Sequence, residues 1–339
     1  MEIIYRAKNR LLQHDITETD RGTGALPQIA DKRDRIQILG AVQPDYEKGF
    51  RIEDYLNQAY NRPVKLAVKD QGQSLSCGGQ AVATLAAVLN YIETGVMTEF
   101  SAHDAYSHNR LWFGGVRLRD IIDWYVDNGV LAEGVFSSYD NGKPPTDDFM
   151  KKKPQDTNLD FQERSILRAE SYATFDSSMD NIAKAIEVNK GCLVVLDGAN
   201  NGTWWSDMPR VEDATIWSHI MYFGGYGIYK KKPGLWGFQT WGDKVGIDGW
   251  QFFTQEWFDA RKIYTPWVVQ DRPNSQDNQD NLQKISDFVF SNPTLPEPNA
   301  SYYSDINWEY VQKQTKVFIK QGKHYDFEMA KKYKDLYKL

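Results

Sequence analysis

The sequence predicts an α+β protein of two lobes, helical in its first half and β-rich in its second. Between residues 77 and 129 apolar positions recur at helical spacing in two runs. From about Arg168 the pattern changes to short apolar runs, rich in aromatic and β-branched residues and separated by turn signals. That is the signature of a small antiparallel sheet or barrel. Helices and strands segregated in this way pack as two layers, with a cleft where they meet.

Taken in order, residues 1–62 are polar and mixed, with a Gly-Thr-Gly turn at Gly22–Gly24 and no sustained periodicity beyond a first helix. A pro-segment, a structural arm and an added subdomain all fit this stretch. A turn-rich run, Gln71 to Ser76, then leads into Cys77, after which Val82, Leu85, Ala86, Leu89 and Ile92 mark one apolar helix face. Gly95 follows, where a residue without Cβ ends a helix in the left-handed conformation. Ser101 and Asp104 make a capping pattern for a short helix. Gly114 and Gly115 break the chain, and a further helix carries Leu118, Ile121, Ile122 and Tyr125 as far as Gly129. Residues 139–160, rich in Asp, Lys and Pro, read as a long surface loop.

Asp176 is the expected cap of a helix through Ile182 and Ile186. Strands are expected at 193–196, 220–223, 236–240, 250–253 and 267–269. Residues 271–281 form a polar linker, Pro293, Pro296 and Pro298 punctuate another, and two Lys- and Tyr-rich helices are expected at 305–321 and 326–339. The expected organisation is an arm (1–62), a main domain (63–270, helical lobe about 70–165 and β lobe about 166–270) and a C-terminal extension (271–339). The arm and the terminal helices are the places for protein partners.

A chain of 339 residues with 41% hydrophobic and 14% aromatic content can bury a sizeable core. Its net charge of -6 gives no electrostatic reason to bind nucleic acid. No stretch reaches the roughly 18 apolar residues of a membrane span. The N-terminal run lacks the apolar core of a secretory signal. With only Cys77 and Cys192 present, a nucleophilic role for one leaves no disulfide. A cytoplasmic or virion-associated protein is therefore expected before a classically secreted one.

The chemistry is concentrated at Cys77. A cysteine at a helix start lies beside unpaired N–H groups and the positive end of the macrodipole, which favour a thiolate. Six residues upstream, the Gln71 side chain has an N–H to offer an oxyanion together with the Cys77 backbone N–H. A small buried cysteine at a helix start is the alternative, and a downstream histidine decides between them. Of the five histidines, none combines with acids or cysteines at metal-ligand spacing, so neither metal nor cofactor is expected. His103 and His108 lie in an expected helix as surface residues. His219 opens a strand-like apolar run, SHIMYFGGYG. Cys192, within the apolar run GCLVVLDG, reads as a structural thiol.

These residues resemble the papain-like cysteine peptidases. That family has a glutamine six residues before its nucleophile and a histidine roughly 130–150 residues beyond it, the window in which His219 falls. SHIMYFGGYG is similar to the family's histidine strand, and QTWGDKVGIDGW to its Asn-Ser-Trp-Gly block. NRLWFGG and LRDIIDWYVDNGV resemble its substrate-side Gly-Gly and the helix after it. The resemblance spans about residues 64–268. It implies a papain-like two-lobe fold, a helical lobe plus an antiparallel β-barrel-like lobe, with the active site in the cleft. It implies Cys77 as nucleophile and His219 as general base and acid in a thiolate–imidazolium pair. Gln71 becomes the oxyanion donor, Gln239 the residue that orients the histidine, Gly114 and Gly115 the backbone offered to substrate, and Trp241 a shield. The expected activity is cleavage of a peptide or isopeptide bond through a thioester. Acyl transfer to an amine would use the same residues. The other readings are an assembly protein built on this fold, virion-associated in one version, and an arm that fills the cleft as an inhibitor. Four positions depart from the family pattern. Gln239 stands where it has asparagine, Gly78 and Val245 where it has tryptophans, and Ser74 where it has a disulfide cysteine.

Overall fold

The computed structural model describes residues 25–26, 37, 39, 42–154, 168–199, 202–211, 216–261, 263–264 and 266–270. Its helical half contains α1 (Ile52–Tyr60), α2 (Cys77–Thr94), α3 (Ala102–Asn109), α4 (Leu118–Asn128) and the single turn α5 (Asp147–Met150). Three two-residue strands accompany them, β1 (Ala25–Leu26), β2 (Phe50–Arg51) and β3 (Val116–Arg117). The second half contains β4 (Ser171–Thr174), α6 (Met179–Asn189), β5 (Cys192–Ala199), β6 (Ile216–Tyr229), β7 (Lys232–Phe238), β8 (Trp250–Thr254), α7 (Gln255–Ala260) and β9 (Trp267–Gln270).

The α+β expectation and the segregation of helices from strands hold. The sheet is antiparallel, in the order β4-β9-β5-β6-β7-β8, with β2 added to β6. It does not close: among the described residues β4 and β8, at the two ends of the path, do not pair with each other, so the lobe expected to be barrel-like is an open sheet. Alternation along β6 divides the two cores. Ile220 and Tyr222 join the core under the helices, whereas Trp217, Met221 and Phe223 join the core beneath α6 and α7.

Helix α2 differs from its expected one-sided character. All of its residues except Ile92 and Glu93 are buried, because β6, α3 and α4 enclose it. Small residues permit this enclosure. A Cβ on Gly79 would lie 2.4 Å from the Ala102 carbonyl oxygen. One on Gly78 would lie 2.3 Å from Val116 Cγ2 and 3.0 Å from Ile220 Cδ1. The space that would take a tryptophan after the cysteine is therefore already filled by Val116 and Ile220. Gly95 ends the helix in the left-handed conformation, φ 69°, as its position suggested.

Ser101 accepts from the Asp104 backbone N–H at 2.9 Å and starts α3. The cap of α6 is Ser178, not Asp176; the Asp176 carboxylate instead accepts from Ser178 N and from Asn181 Nδ2. The stretch expected as surface loop carries α5, capped by Thr146, and its Met150 is fully buried. The four short strands β1 to β4, two or four residues long, and the short helices α5 and α7 were not expected from the sequence. Residues 50–60 pack into the main body: β2 pairs with Tyr226 and Gly225 of β6, and Ile52 and Leu56 of α1 are fully buried. The linker and terminal helices expected beyond Asp271 lie outside the described residues. Among the described residues, no helix is long and apolar enough to cross a membrane.

The Gly78 contact gives a direct test of this packing. Gly78→Ala is expected to cost about 1–3 kcal/mol by overpacking, read as a lower urea midpoint. Adding Val116→Ala to the same chain should recover part of the loss; a strictly additive double variant would show that the two positions do not compete for space.

Candidate active site

Cys77 is the first residue of α2 and has no solvent exposure. The preceding Ser76 makes no side-chain cap and the first turn holds no acidic residue, so neither of these offsets the positive helix end at the sulfur. The Ser76 hydroxyl pairs with that of Ser74 at 2.7 Å. The Gln71–Ser76 turn closes on itself: Ser74 N donates to the Gln71 carbonyl at 3.0 Å, and Gln71 Nε2 donates to the Ser74 carbonyl at 2.9 Å.

His219 sits in β6 opposite Leu196 of β5 and is also fully buried. Gln239 follows the end of β7 and is equally enclosed; its Oε1 lies 3.1 Å from His219 Nε2. The extra methylene relative to asparagine therefore does not prevent the contact. Gln239 Nε2 in turn donates to Gln251 Oε1 on β8. Trp241 stands over the imidazole with ring centroids 5.2 Å apart, and Trp217 and Trp204 add walls at 5.8 and 6.2 Å.

Enclosure governs the electrostatics. Burial pushes the His219 imidazole from its ordinary 6.5 down to about 3, against a smaller upward pull from its hydrogen bond to Gln239. Its hydrogen-bonding neighbours, Gln239 and Thr240, carry no charge. An imidazolium at neutral pH in this place requires a nearby anion, and in the expected pair the thiolate is that anion. Burial pushes the Cys192 thiol far upward, and Cys192 lies within β5, which fits a structural role.

Segments distant in the chain are joined here. Gln71 N donates to the Thr240 carbonyl at 2.8 Å, Gly242 N donates to the Lys69 carbonyl at 3.0 Å, and Asp70 bridges Trp241. The Thr240 hydroxyl donates to Gln71 Oε1. Gln71, His219, Gln239 and Trp241 are thus connected through Thr240 and the indole–imidazole contact. Cys77 approaches from the helical side, where Gly78 abuts Ile220, the residue after His219.

Gly114 and Gly115 adopt φ 94° and 72°, conformations that favour glycine. Their N–H groups are used internally: Gly114 N donates to the Leu111 carbonyl and Gly115 N to the Tyr106 hydroxyl, while the Gly115 carbonyl accepts from Leu111 N. The next residues, β3, pair in parallel with β1 from the arm. His103 is buried, contrary to its surface expectation, with Nδ1 3.0 Å from the Ser137 carbonyl and its ring against Phe136 and Phe149. His108 stacks on Trp124 and lies 3.5 Å from Asp104, also off the open surface. Among the described residues, no group of three or more His, Cys, Asp and Glu could hold a metal ion.

Sequence reasoning missed Thr240, Gln251, Trp204 and Trp217. For Trp217 a signal existed: two residues before His219 on a strand means the same face. The others reach the site through a loop or a neighbouring strand whose register no local pattern gives.

Neither a protein-family model nor a curated protein sequence matches this chain. Solved structures do. Xylellain, a cysteine protease from Xylella fastidiosa, superposes with a TM-score of 0.59 at 17% identity, covering 76% of this chain and 98% of its own. ProCathepsin B S9 from Trypanosoma congolense gives 0.60 at 15%, with 76% and 90% covered. Digestive procathepsin L 3 of Tenebrio molitor larval midgut gives 0.56 at 13%, with 76% and 78% covered. The chain has the papain-like fold.

The depressed histidine makes a pH prediction. In Cys77→Ala no thiolate remains to offset an imidazolium, so His219 should stay neutral from pH 8 to 5 in the folded protein, with a flat Cε1–H chemical shift. The unfolded imidazole titrates near 6.5, so the unfolded chain binds the proton first. The stability contributed by neutral His219 is complete above about pH 6.5 and declines as pH falls toward 3. A folded-state inflection between pH 6 and 7 would contradict the enclosure.

Proposed function

We propose that the chain is a cysteine-type peptidase that cleaves peptide or isopeptide bonds through a thioester at Cys77. The observation that carries this reading is the His219–Gln239 hydrogen bond, shielded by Trp241 and connected through Thr240 to Gln71 before the cysteine helix. In this mechanism His219 takes the Cys77 thiol proton as the sulfur attacks the scissile carbonyl carbon. The oxyanion is held by the Cys77 backbone N–H and the Gln71 side-chain amide. The C–N bond breaks as His219 returns the proton to the leaving amine. Water, activated by the same imidazole, then hydrolyses the thioester and restores the thiol. An amine in place of water would give acyl transfer by the same residues. The occupant of the cleft would be an extended peptide or protein chain.

A closed resting state accompanies this reading. Cys77 and His219 have no solvent exposure, and the arm adds β1 to β3 directly after Gly114 and Gly115. Ala25 of β1 is buried in the same core as Cys77. In this reading residues before the main body hold the substrate edge of the cleft and must leave before a substrate enters.

Labelling with an iodoacetamide or epoxysuccinyl probe tests both statements. Cys77→Ala should lower peptide hydrolysis by at least about a thousandfold, and His219→Ala should slow alkylation of Cys77 in the otherwise unchanged chain. Retained turnover in Cys77→Ala would sink the peptidase reading. Ala25→Asp, which puts a charge into the β1 contact, should speed alkylation several-fold; an unchanged rate would mean that the arm does not close the site.

A further inference from the structure

We propose that Gln251 is a positioning residue that holds His219 in the tautomer with its hydrogen on Nε2, and that two backbone carbonyls, Trp204 and Ser206, set this polarity from behind the strand pair. A carboxamide has one accepting oxygen and one donating nitrogen, so fixing one end fixes the other. Gln251 Nε2 meets the Trp204 carbonyl and, at 2.9 Å, the Ser206 carbonyl. Carbonyls only accept, so the Gln251 nitrogen must lie there and its oxygen must face Gln239. That oxygen accepts from Gln239 Nε2. Gln239 is left presenting Oε1 to His219 Nε2 at 3.1 Å, and the Thr240 backbone N–H donates to the same oxygen at 3.4 Å. An accepting oxygen requires a hydrogen on Nε2.

A second chain of bonds reaches the same nitrogen. Gln71 Nε2 donates to the Ser74 carbonyl at 2.9 Å, which turns Gln71 Oε1 toward Thr240. The single hydroxyl hydrogen of Thr240 goes to that oxygen. Toward His219 Nε2, 3.5 Å away, Thr240 therefore offers only a lone pair. Both chains begin at backbone carbonyls, whose polarity cannot reverse, and both end on an Nε2 hydrogen. His219 Nδ1 is left as the lone-pair nitrogen, buried and without a hydrogen-bond partner among the described residues. Gln71, His219, Gln239 and Gln251 all have no solvent exposure, so bulk water is not at hand to stabilise the reversed arrangement. The catalytic meaning rests on the peptidase reading above: the nitrogen that must accept the thiol proton is fixed as the basic one before substrate binds. The tautomer itself is a property of the fold.

The test uses the full chain labelled with 15N-histidine, with long-range 1H–15N correlations reporting which ring nitrogen of His219 is protonated. In a Cys77→Ala background, where no thiolate holds an imidazolium, His219 should show a single Nε2–H tautomer. Gln251→Met leaves Gln239 free to turn and should populate Nδ1–H. Gln251→Asn, which keeps an amide for the carbonyls but falls one methylene short of Gln239, should do the same in a chain less prone to unfold. With Cys77 present, both should be alkylated at Cys77 roughly tenfold more slowly, and with a peptide substrate lower kcat while leaving KM in place. An Nδ1–H tautomer in the Cys77→Ala background overturns the proposal, as do Gln251 variants that remain folded with pure Nε2–H in that background and wild-type alkylation when Cys77 is present. If His219→Ala fails to slow alkylation, the peptidase reading falls, while the tautomer spectra still decide the role of Gln251.

Discussion

How closely α2 can approach β6 determines the rest of this molecule. The helix carries its nucleophile candidate at its first residue, and two glycines follow it. At Gly78 the space is taken by Val116 and Ile220, and at Gly79 the Ala102 carbonyl lies within the radius of any Cβ. The missing side chain at Gly78 lets the helix start press against the strand that bears His219, and the one at Gly79 lets it press against α3. Apolar enclosure on all sides is the result. It fixes the position of the sulfur through packing rather than through the tryptophan or the disulfide that the resemblance would supply.

Enclosure then selects the chemistry around the imidazole. A dry site makes an isolated charge expensive and a satisfied neutral hydrogen bond strong. The hydrogen-bonding partners of His219 are accordingly one amide and one hydroxyl, with an indole ring against the imidazole. Replacing asparagine by glutamine lengthens the arm that reaches the ring. Here the longer amide is supported from behind by Gln251, which is itself pinned to two carbonyls. Charged groups are kept one layer back, where Asp147 receives hydrogen bonds from Tyr106 and Leu75 N and an ion pair from Arg110. This cluster braces the turn leading to Cys77 against α3 and α5.

Much of this was legible in the residues. The helix after Cys77, the Ser101 cap, the Gly95 and Gly129 stops and five strands follow local rules: periodicity, side-chain caps and left-handed glycines. The pairing of Cys77 with His219 as candidates came from resemblance and spacing, and it stands as part of the proposal above. What escaped was of two kinds. β2 and β4 are too short to show a period, and they exist only because a neighbouring strand offers them an edge. Thr240, Gln251 and Trp204 escaped because their relation to His219 depends on strand register and on a loop from another part of the sheet. The open sheet and the all-round burial of α2 are tertiary outcomes too. A sequence marks which residues are apolar, not how many layers will surround them.

The bond between Gln71 and Thr240 joins positions 169 residues apart, and the ladder beside it joins Lys69 to Gly242. Contacts so distant in the chain bear a large loop-closure entropy and form after local helices and hairpins. Neither lobe alone can orient the imidazole and place the glutamine before the cysteine. The assembled site is therefore a product of complete folding. It is absent from partly folded chains, and it is lost as soon as the two lobes separate, even where each keeps its own secondary structure.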